Sequence, residues 1–189
     1  QTEQIFMKGK LIMTPFIKYQ NWPTEFYGIG ANTSEDVMSK YTQENFEIRL
    51  DAKYRLLKDI SLKGGLRTQK TNLLNKEIPE LFVDEIPGTS GFSLYGSNIG
   101  IEYDTRDNSI YSTKGWYISY LYSMFFDVFD AENSFSVDKA EIRYFHSINE
   151  KSVLAFQGVV KNSSDQAPFL EMSLLGDELR AYEPQRFID

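Results

Sequence analysis

The stretch Phe46-Glu-Ile-Arg-Leu-Asp-Ala-Lys-Tyr-Arg-Leu56 alternates apolar and charged residues at every position. Because successive side chains of a strand point to opposite faces, this pattern predicts a β-strand with one apolar and one charged face. After a short turn at Lys58-Asp59, the residues from Ile60 to Arg67 repeat the alternation. The two segments therefore predict an antiparallel β-hairpin.

Further strands are predicted on both sides of this hairpin, which brings the total to about seven strands with no helix. They lie at about residues 6–19, 99–105, 115–126, 134–145 and 152–161. The connections at 57–59 and 147–151 are short, whereas those at 21–41, 71–92 and 161–189 are long. The predicted sheet therefore has tight turns at one end and long loops at the other.

Two all-β architectures fit this pattern. A soluble sandwich or barrel buries its apolar face, whereas an outer-membrane barrel turns that face to lipid and its charged face to a watery lumen. Alternation alone does not distinguish them. Loop asymmetry, long strands and aromatic residues near the strand ends favour the membrane barrel. These aromatic residues are Tyr19, Trp22, Phe26, Tyr27, Trp116, Tyr117, Phe125 and Phe126.

Composition excludes several other classes of protein. The formal net charge of -7 and the absence of a basic block argue against nucleic-acid binding. The chain has no cysteine and one histidine, His146, which argues against a thiolate or transition-metal site. No credible Ser-His-Asp set or phosphate-binding loop is present. We therefore expect a protein that is not an enzyme and needs no cofactor.

An antiparallel transmembrane barrel cannot be complete with seven strands, since bacterial barrels of this kind have an even number. Open sheet edges in lipid leave unpaired backbone groups, each of which costs several kcal/mol. We therefore expect residues 1–189 to form one partial transmembrane β-barrel domain, which belongs to a larger protein or pairs with another chain. The chain begins at Gln1 without a methionine, so we expect any targeting peptide to have been removed or to lie outside this sequence.

A polar cluster with Asp104, Arg106, Asp107 and Asn108 lies between two predicted strands and is followed by Gly115. A turn in which Asp107 and Asn108 bond their own backbone and Gly115 supplies a positive φ explains part of it. That turn accounts for Asn108 and Gly115 but not for the cluster Asp104-Thr-Arg-Asp107. The segment resembles a turn of the BamA/TamA-like outer-membrane proteins, also called bacterial surface antigens, with the pattern Tyr-Asp-x-Arg-Asp-Asn followed by Phe-Pro-x-x-Gly. The matching residues are Tyr103, Asp104, Arg106, Asp107, Asn108, Tyr111, Lys114 and Gly115, whereas Ser112 replaces the usual proline.

The last segment of the chain carries a second resemblance to that family. Leu175-Gly176-Asp177 and Arg180-Ala181-Tyr182 are similar to its Leu-Gly-Gly and Arg-Gly-Phe or Arg-Gly-Tyr motifs, with Asp177 and Ala181 in place of glycines. A weaker likeness is Phe26-Tyr-Gly-Ile-Gly-Ala-Asn-Thr33, which looks like a loop of short family members.

The resemblance implies that residues 162–189 form a loop that folds back into the lumen, with Gly176, Arg180 and Tyr182 in its motif. Arg180 would then be held there by carboxylates, and the alternative is a solvated surface arginine. Candidate partners on the predicted lumen face are Glu47, Asp51, Glu102 and Asp104.

The resemblance also implies a location in the bacterial outer membrane, in contact with outer-membrane lipid. Members of the family assist the insertion of proteins into that membrane or their translocation across it. Client outer-membrane proteins or other assembly subunits are thus the implied partners, and no cofactor is implied. Two alternatives remain: a passive pore or membrane anchor for a partner domain, and a soluble β-barrel or sandwich that binds a ligand.

Overall fold

The computed structural model describes residues 3–30, 38–83, 85–126, 134–164, 166–172 and 188. Within these ranges the chain forms eight β-strands and two single 3₁₀ turns, Met7–Gly9 and Pro79–Leu81. The strands are β1 Gln4–Phe6, β2 Leu11–Phe26, β3 Ser39–Arg55, β4 Ile60–Leu74, β5 Phe92–Asp104, β6 Gly115–Phe126, β7 Phe135–Asn149 and β8 Ser152–Ser163. Among the described residues, no helix is long and apolar enough to cross a membrane.

The eight strands form one antiparallel sheet in which each strand pairs with the next along the chain. Among the described residues β1 does not pair with β8, so the sheet is not closed. This confirms the predicted all-β class and the partial barrel. The prediction of about seven strands was one too few, because the short strand β1 precedes β2. The 3₁₀ turn between them places Met7 and Lys8 at positive φ, a local backbone change that the apolar pattern does not show.

Turns and loops are divided between the two ends of the sheet. Residues 56–59, 105–114 and 150–151 connect strands at one end, the short-turn end. Strands β2, β4, β6 and β8 finish at the other end of the sheet, the long-loop end, at Phe26, Leu74, Phe126 and Ser163. The connections predicted at 21–41 and 71–92 are shorter than the sequence suggested, because β2 and β3 remain paired as far as Phe26 and Ser39, and β3 and β4 as far as Thr42 and Leu74.

One face of the sheet, the apolar face, exposes large apolar side chains from β2 to β8. Ile99 is 68% exposed and Leu66 is 62% exposed, although both lie well inside their strands. A continuous apolar surface of this kind is typical of the lipid-facing side of a barrel and not of a soluble protein. Its members include Ile17, Tyr19, Ile48, Leu50, Leu62, Leu66, Tyr95, Ile99, Ile101, Trp116, Ile118, Tyr120, Phe126, Tyr144, Phe156 and Val160.

The opposite face, the polar face, carries the charged side chains of the alternating strands. Strand register brings Glu47, Asp51, Glu102 and Asp104 to this face, as the sequence predicted. At the long-loop end its character changes, because loops pack there against apolar strand residues. One buried cluster contains Phe26, Tyr41, Leu73, Phe82, Phe169 and Ile188, and a second contains Leu94, Phe125, Phe135, Val137 and Ala167.

The aromatic residues near strand ends do not all lie on the apolar face. Trp116 lies there, with its ring centroid 4.2 Å from that of Tyr144. Phe26 and Phe125 are instead buried in the clusters of the polar face. The interpretation of all these aromatics as membrane-interface residues was therefore wrong, because alternate positions of one strand point to opposite faces.

We predict that two adjacent lysine substitutions in the middle of β5 have different effects. Ile99→Lys places a charge on the apolar face and should prevent membrane assembly, since such a charge costs about 2–4 kcal/mol at the bilayer midplane. Asn98→Lys is the matched control: the Asn98 side chain and the Asp51 carboxylate both border Gly65 on the polar face. The fraction of heat-modifiable, membrane-integrated protein measures both. Equal loss in the two variants would contradict the assignment of the faces.

Candidate functional site

A ladder of alternating charges crosses the polar face at β3 and β4. Arg49 and Arg67 are direct cross-strand partners, a placement in which two like charges destabilise a sheet. Glu47 compensates both, since its Oε1 atom lies 3.3 Å from Arg49 Nη1 and 3.2 Å from Arg67 Nε. Arg49 Nε also donates to Asp51 Oδ2 at 2.7 Å. Burial of Glu47, which is 7% exposed, strengthens these interactions.

Arg67 extends the ladder to a residue far along the chain. Its Nη1 and Nη2 atoms donate to Glu171 Oε2 and Oε1 at 3.0 and 2.7 Å, which makes a bidentate pair. Arg67 Nη2 also donates to Gln69. The buried Nε atom contacts Glu47 at ion-pair distance but without hydrogen-bond geometry. Arg67 is thus held by the carboxylate of Glu47 on the neighbouring strand β3 and by the carboxylate of Glu171, which follows β8.

Glu171 belongs to the segment 166–172, which lies against the polar face. The side chain of Phe169 is fully buried, and its backbone N–H donates to Pro87 O at 3.0 Å. Lys161 Nζ donates to Met172 O at 2.7 Å. Residues 162–163, which were predicted to begin the lumen loop, belong instead to β8, and the described residues after them turn back over the sheet.

A second network lies nearer the short-turn end and centres on Glu102. Its carboxylate pairs with Lys53 and, at 2.6 Å, with Lys63 Nζ. Lys63 Nζ donates to Tyr117 OH at 3.1 Å, and that hydroxyl donates to Glu102 Oε2 at 3.3 Å. The Tyr117 ring also faces Arg106, at 4.5 Å from the guanidinium carbon to the ring centroid. Every charge in this network therefore has an opposite charge or an aromatic face beside it.

The Asp104–Arg106 pair closes the turn between β5 and β6. Asp104 Oδ1 accepts from Arg106 Nε at 2.9 Å, and Oδ2 accepts from Nη2 at 2.8 Å. The backbone N–H of Arg106 also donates to Asp104 Oδ1 at 3.1 Å. These bonds give a role to Asp104 and Arg106, which a simple Asp-Asn turn does not explain.

Asp107 and Asn108 bond the rest of the turn. Asp107 Oδ1 accepts the backbone N–H of Thr113 at 2.9 Å, and Oδ2 accepts the Thr113 hydroxyl at 2.5 Å. Asn108 Oδ1 accepts the N–H groups of Ile110 and Tyr111 at 2.8 and 2.9 Å. The Thr113 hydroxyl, followed by backbone donors, lowers the pKa of Asp107 to about 2. The carboxylate therefore accepts these bonds in its charged form.

Gly115 ends the turn at φ +109°, as the sequence predicted. A Cβ atom there would lie 2.4 Å from Thr105 O and 2.8 Å from Arg106 Cα. Backbone conformation and lack of space thus both require glycine.

Three of the predicted site residues, Gly176, Arg180 and Tyr182, lie outside the described residues. The four acids proposed as partners of Arg180 each have a cation beside them already. Sequence reasoning did not single out Arg67 or Glu171. Arg67 had a signal in the alternation of β4, whereas Glu171 follows β8 in a segment without period. In the described ranges, no group of three acids or histidines is placed to hold a metal ion.

We expect Gly115→Ala to destabilise the folded protein by more than about 1 kcal/mol, since a left-handed backbone disfavours a Cβ atom. Urea unfolding of the full-length protein in lipid vesicles measures this loss. Gly64→Ala is the matched control, because a Cβ there has no heavy atom nearer than 3.6 Å. It should change stability by less than about 0.5 kcal/mol. An equal effect of both substitutions would disprove the role of Gly115.

The lowered pKa of Asp107 predicts a pH-dependent contribution of the turn to stability. It is fully present above the usual aspartate pKa of 3.8 and is lost as pH falls through about 2. The difference in thermal stability between the wild type and Asp107→Asn should therefore shrink as pH is lowered from 5 to 2. Glu150→Gln, at an exposed acid of the 150–151 turn, is the control and should keep the wild-type profile. A constant difference for Asp107→Asn would refute this role.

The model of the Omp85 superfamily domain matches residues 3–185. No curated protein and no solved structure matches the chain. The family match includes the whole described sheet and the turn between β5 and β6. An open antiparallel sheet with one apolar face and one charged face agrees with a piece of an outer-membrane barrel. On this match and this fold, the chain belongs to the Omp85 superfamily of outer-membrane proteins.

Proposed function

We propose that this chain is part of a protein of the bacterial outer membrane that assists the insertion of other outer-membrane proteins or the translocation of proteins across that membrane. The match to the Omp85 domain over residues 3–185 carries the proposal. The turn and lumen-loop motifs resemble those of a family whose members have this type of activity. The match to the Omp85 domain covers both motifs. The partners are then outer-membrane lipid and client proteins or other assembly subunits.

The apolar face supports the contact with lipid. Strands β2 to β8 have 12 to 17 residues, and about 9–11 residues are enough for a tilted strand to cross a bilayer. Aromatic pairs lie near both ends of this face: Trp116 with Tyr144 at the short-turn end, and Tyr95 with Phe126 at the long-loop end. Tyrosine and tryptophan prefer the two membrane interfaces.

A passive pore is the second candidate, and the polar face gives it less support. The cations of the two networks lie within ion-pair distance of carboxylates. The segment 166–172 and the buried clusters also occupy the long-loop end of this face. A pore that conducts solutes needs water-filled space lined by side chains that are free to interact with them. On the described part of the polar face, the charged side chains of the two networks are paired with one another, and loop residues cover the long-loop end.

Depletion of the full-length protein in its own bacterium tests the proposal. The amounts of other folded, heat-modifiable barrel proteins in the outer membrane should fall several-fold while their transcripts remain unchanged. Expression of the Asn98→Lys variant should restore them, whereas Ile99→Lys should not. Unchanged levels of the other barrel proteins, together with slower uptake of small solutes, would contradict the proposal and support a pore.

A further inference from the structure

We infer that Arg67 is a positioning residue that anchors the segment 166–172 to the polar face through Glu171. The inference deepens the proposed function, and it rests on that function only where it concerns activity. Residues 166–172 lead into the part of the chain that carries Arg180. A fixed position of this segment would therefore set where the following residues start.

The geometry of the pair favours an anchor over an incidental surface contact. Both side chains are mostly buried, with relative exposures of 22% for Arg67 and 12% for Glu171. The two parallel hydrogen bonds fix the direction as well as the distance of the carboxylate. Exposed ion pairs contribute little to stability, whereas the loss of one partner of a buried pair leaves an uncompensated charge.

The sheet holds the arginine in the orientation that the pair needs. Arg67 lies in the middle of β4, between Arg49 on β3 and Gly96 on β5. The absence of a side chain at Gly96 makes room for Phe125, whose ring atoms would lie 2.4 Å from a Cβ atom there. The Arg67 guanidinium carbon lies 5.5 Å from the centroid of that ring. The arginine is thus supported by an aromatic ring on one side and by Glu47 on another.

The charge sequence of the ladder makes the two partners unequal. The order is Asp51, Arg49, Glu47, Arg67 and Glu171, so that acids occupy both ends. Removal of Glu171 leaves two acids and two arginines. Removal of Arg67 leaves three acids and one arginine, with the buried Glu171 carboxylate separated from the ladder. Loss of the arginine should therefore release the segment more than loss of the acid.

Residues 1–189 contain no cysteine, so one introduced thiol can report on the segment once any cysteine elsewhere in the full-length protein is replaced by serine. Leu170→Cys introduces one thiol into the segment, at a side chain that packs partly buried against the cluster around Phe169. A membrane-impermeant maleimide should label it slowly in the full-length protein in outer-membrane vesicles. We expect Arg67→Met to raise the labelling rate about tenfold, because the loss of a hydrogen bond between charged groups has an effect of about this size. Glu171→Gln should raise it less.

Arg49→Met is the matched control, because it removes the cross-strand partner of Arg67 but no contact of the segment. It should leave the labelling rate within about twofold of the wild type. Arg67→Lys, which keeps a positive charge beside Glu47 and Glu171 but loses the bidentate geometry, should raise the labelling rate less than Arg67→Met does. Labelling is compared only among variants that keep the wild-type heat-modifiability, so that a misfolded barrel is not counted as release.

Two results would overturn the inference: slow labelling in folded Arg67→Met, or equal acceleration by Arg49→Met and Arg67→Met. The readout follows the position of the segment and not the assembly of other proteins. If depletion leaves other barrel proteins unchanged, the proposed function fails while the anchor stands. If labelling is unaffected but depletion lowers them, the anchor fails and the proposed function stands.

Discussion

The polar face depends on one buried carboxylate, Glu47, which lies between two arginines that oppose each other across β3 and β4. Alternation sends every second side chain of β3 to this face, so its charges are brought together by the strand period itself. Without an acid between them, Arg49 and Arg67 would repel each other at this partly buried position. Glu47 allows the two charged arginines to occupy neighbouring positions. Arg67 can then use its outer nitrogens for a partner beyond the sheet.

The alternation of side chains between two faces also links the sheet to the residues that follow β8. An apolar face that exposes side chains such as Ile99 leaves only the opposite face for polar contacts. Any segment that returns over the sheet must therefore offer charges to the ladder or apolar groups to the long-loop end. The segment 166–172 does both, with Glu171 at Arg67 and Phe169 in the buried cluster. Its position follows from the facing of the strands.

How much of this could be predicted from the sequence depends on the range of each signal. Period-two alternation around Leu50 and Leu66 predicted the strands, the division of the sheet into two faces and the all-β class. These features depend only on residues that are neighbours in the chain. The alternation did not predict β1, since the backbone change at Met7 has no apolar pattern. It also did not predict the burial of Phe125, which shares a buried cluster with Ala167 from the segment after β8. The pair Arg67 and Glu171, 104 residues apart, was beyond reach, because no local period places a loop acid over a strand arginine.

The turn between β5 and β6 shows what a family motif can and cannot indicate. Asp104 closes the turn with Arg106, Asp107 and Asn108 accept backbone N–H groups within it, and Gly115 meets its backbone requirement. The Arg106 guanidinium also reaches beyond the turn, to the Tyr117 ring. Since the turn itself uses these polar groups, its signature indicates the fold more than the activity. Differences in activity among proteins with this turn must then arise elsewhere. At the long-loop end, chain segments contact the polar face, and no alternation of strand residues determines their positions.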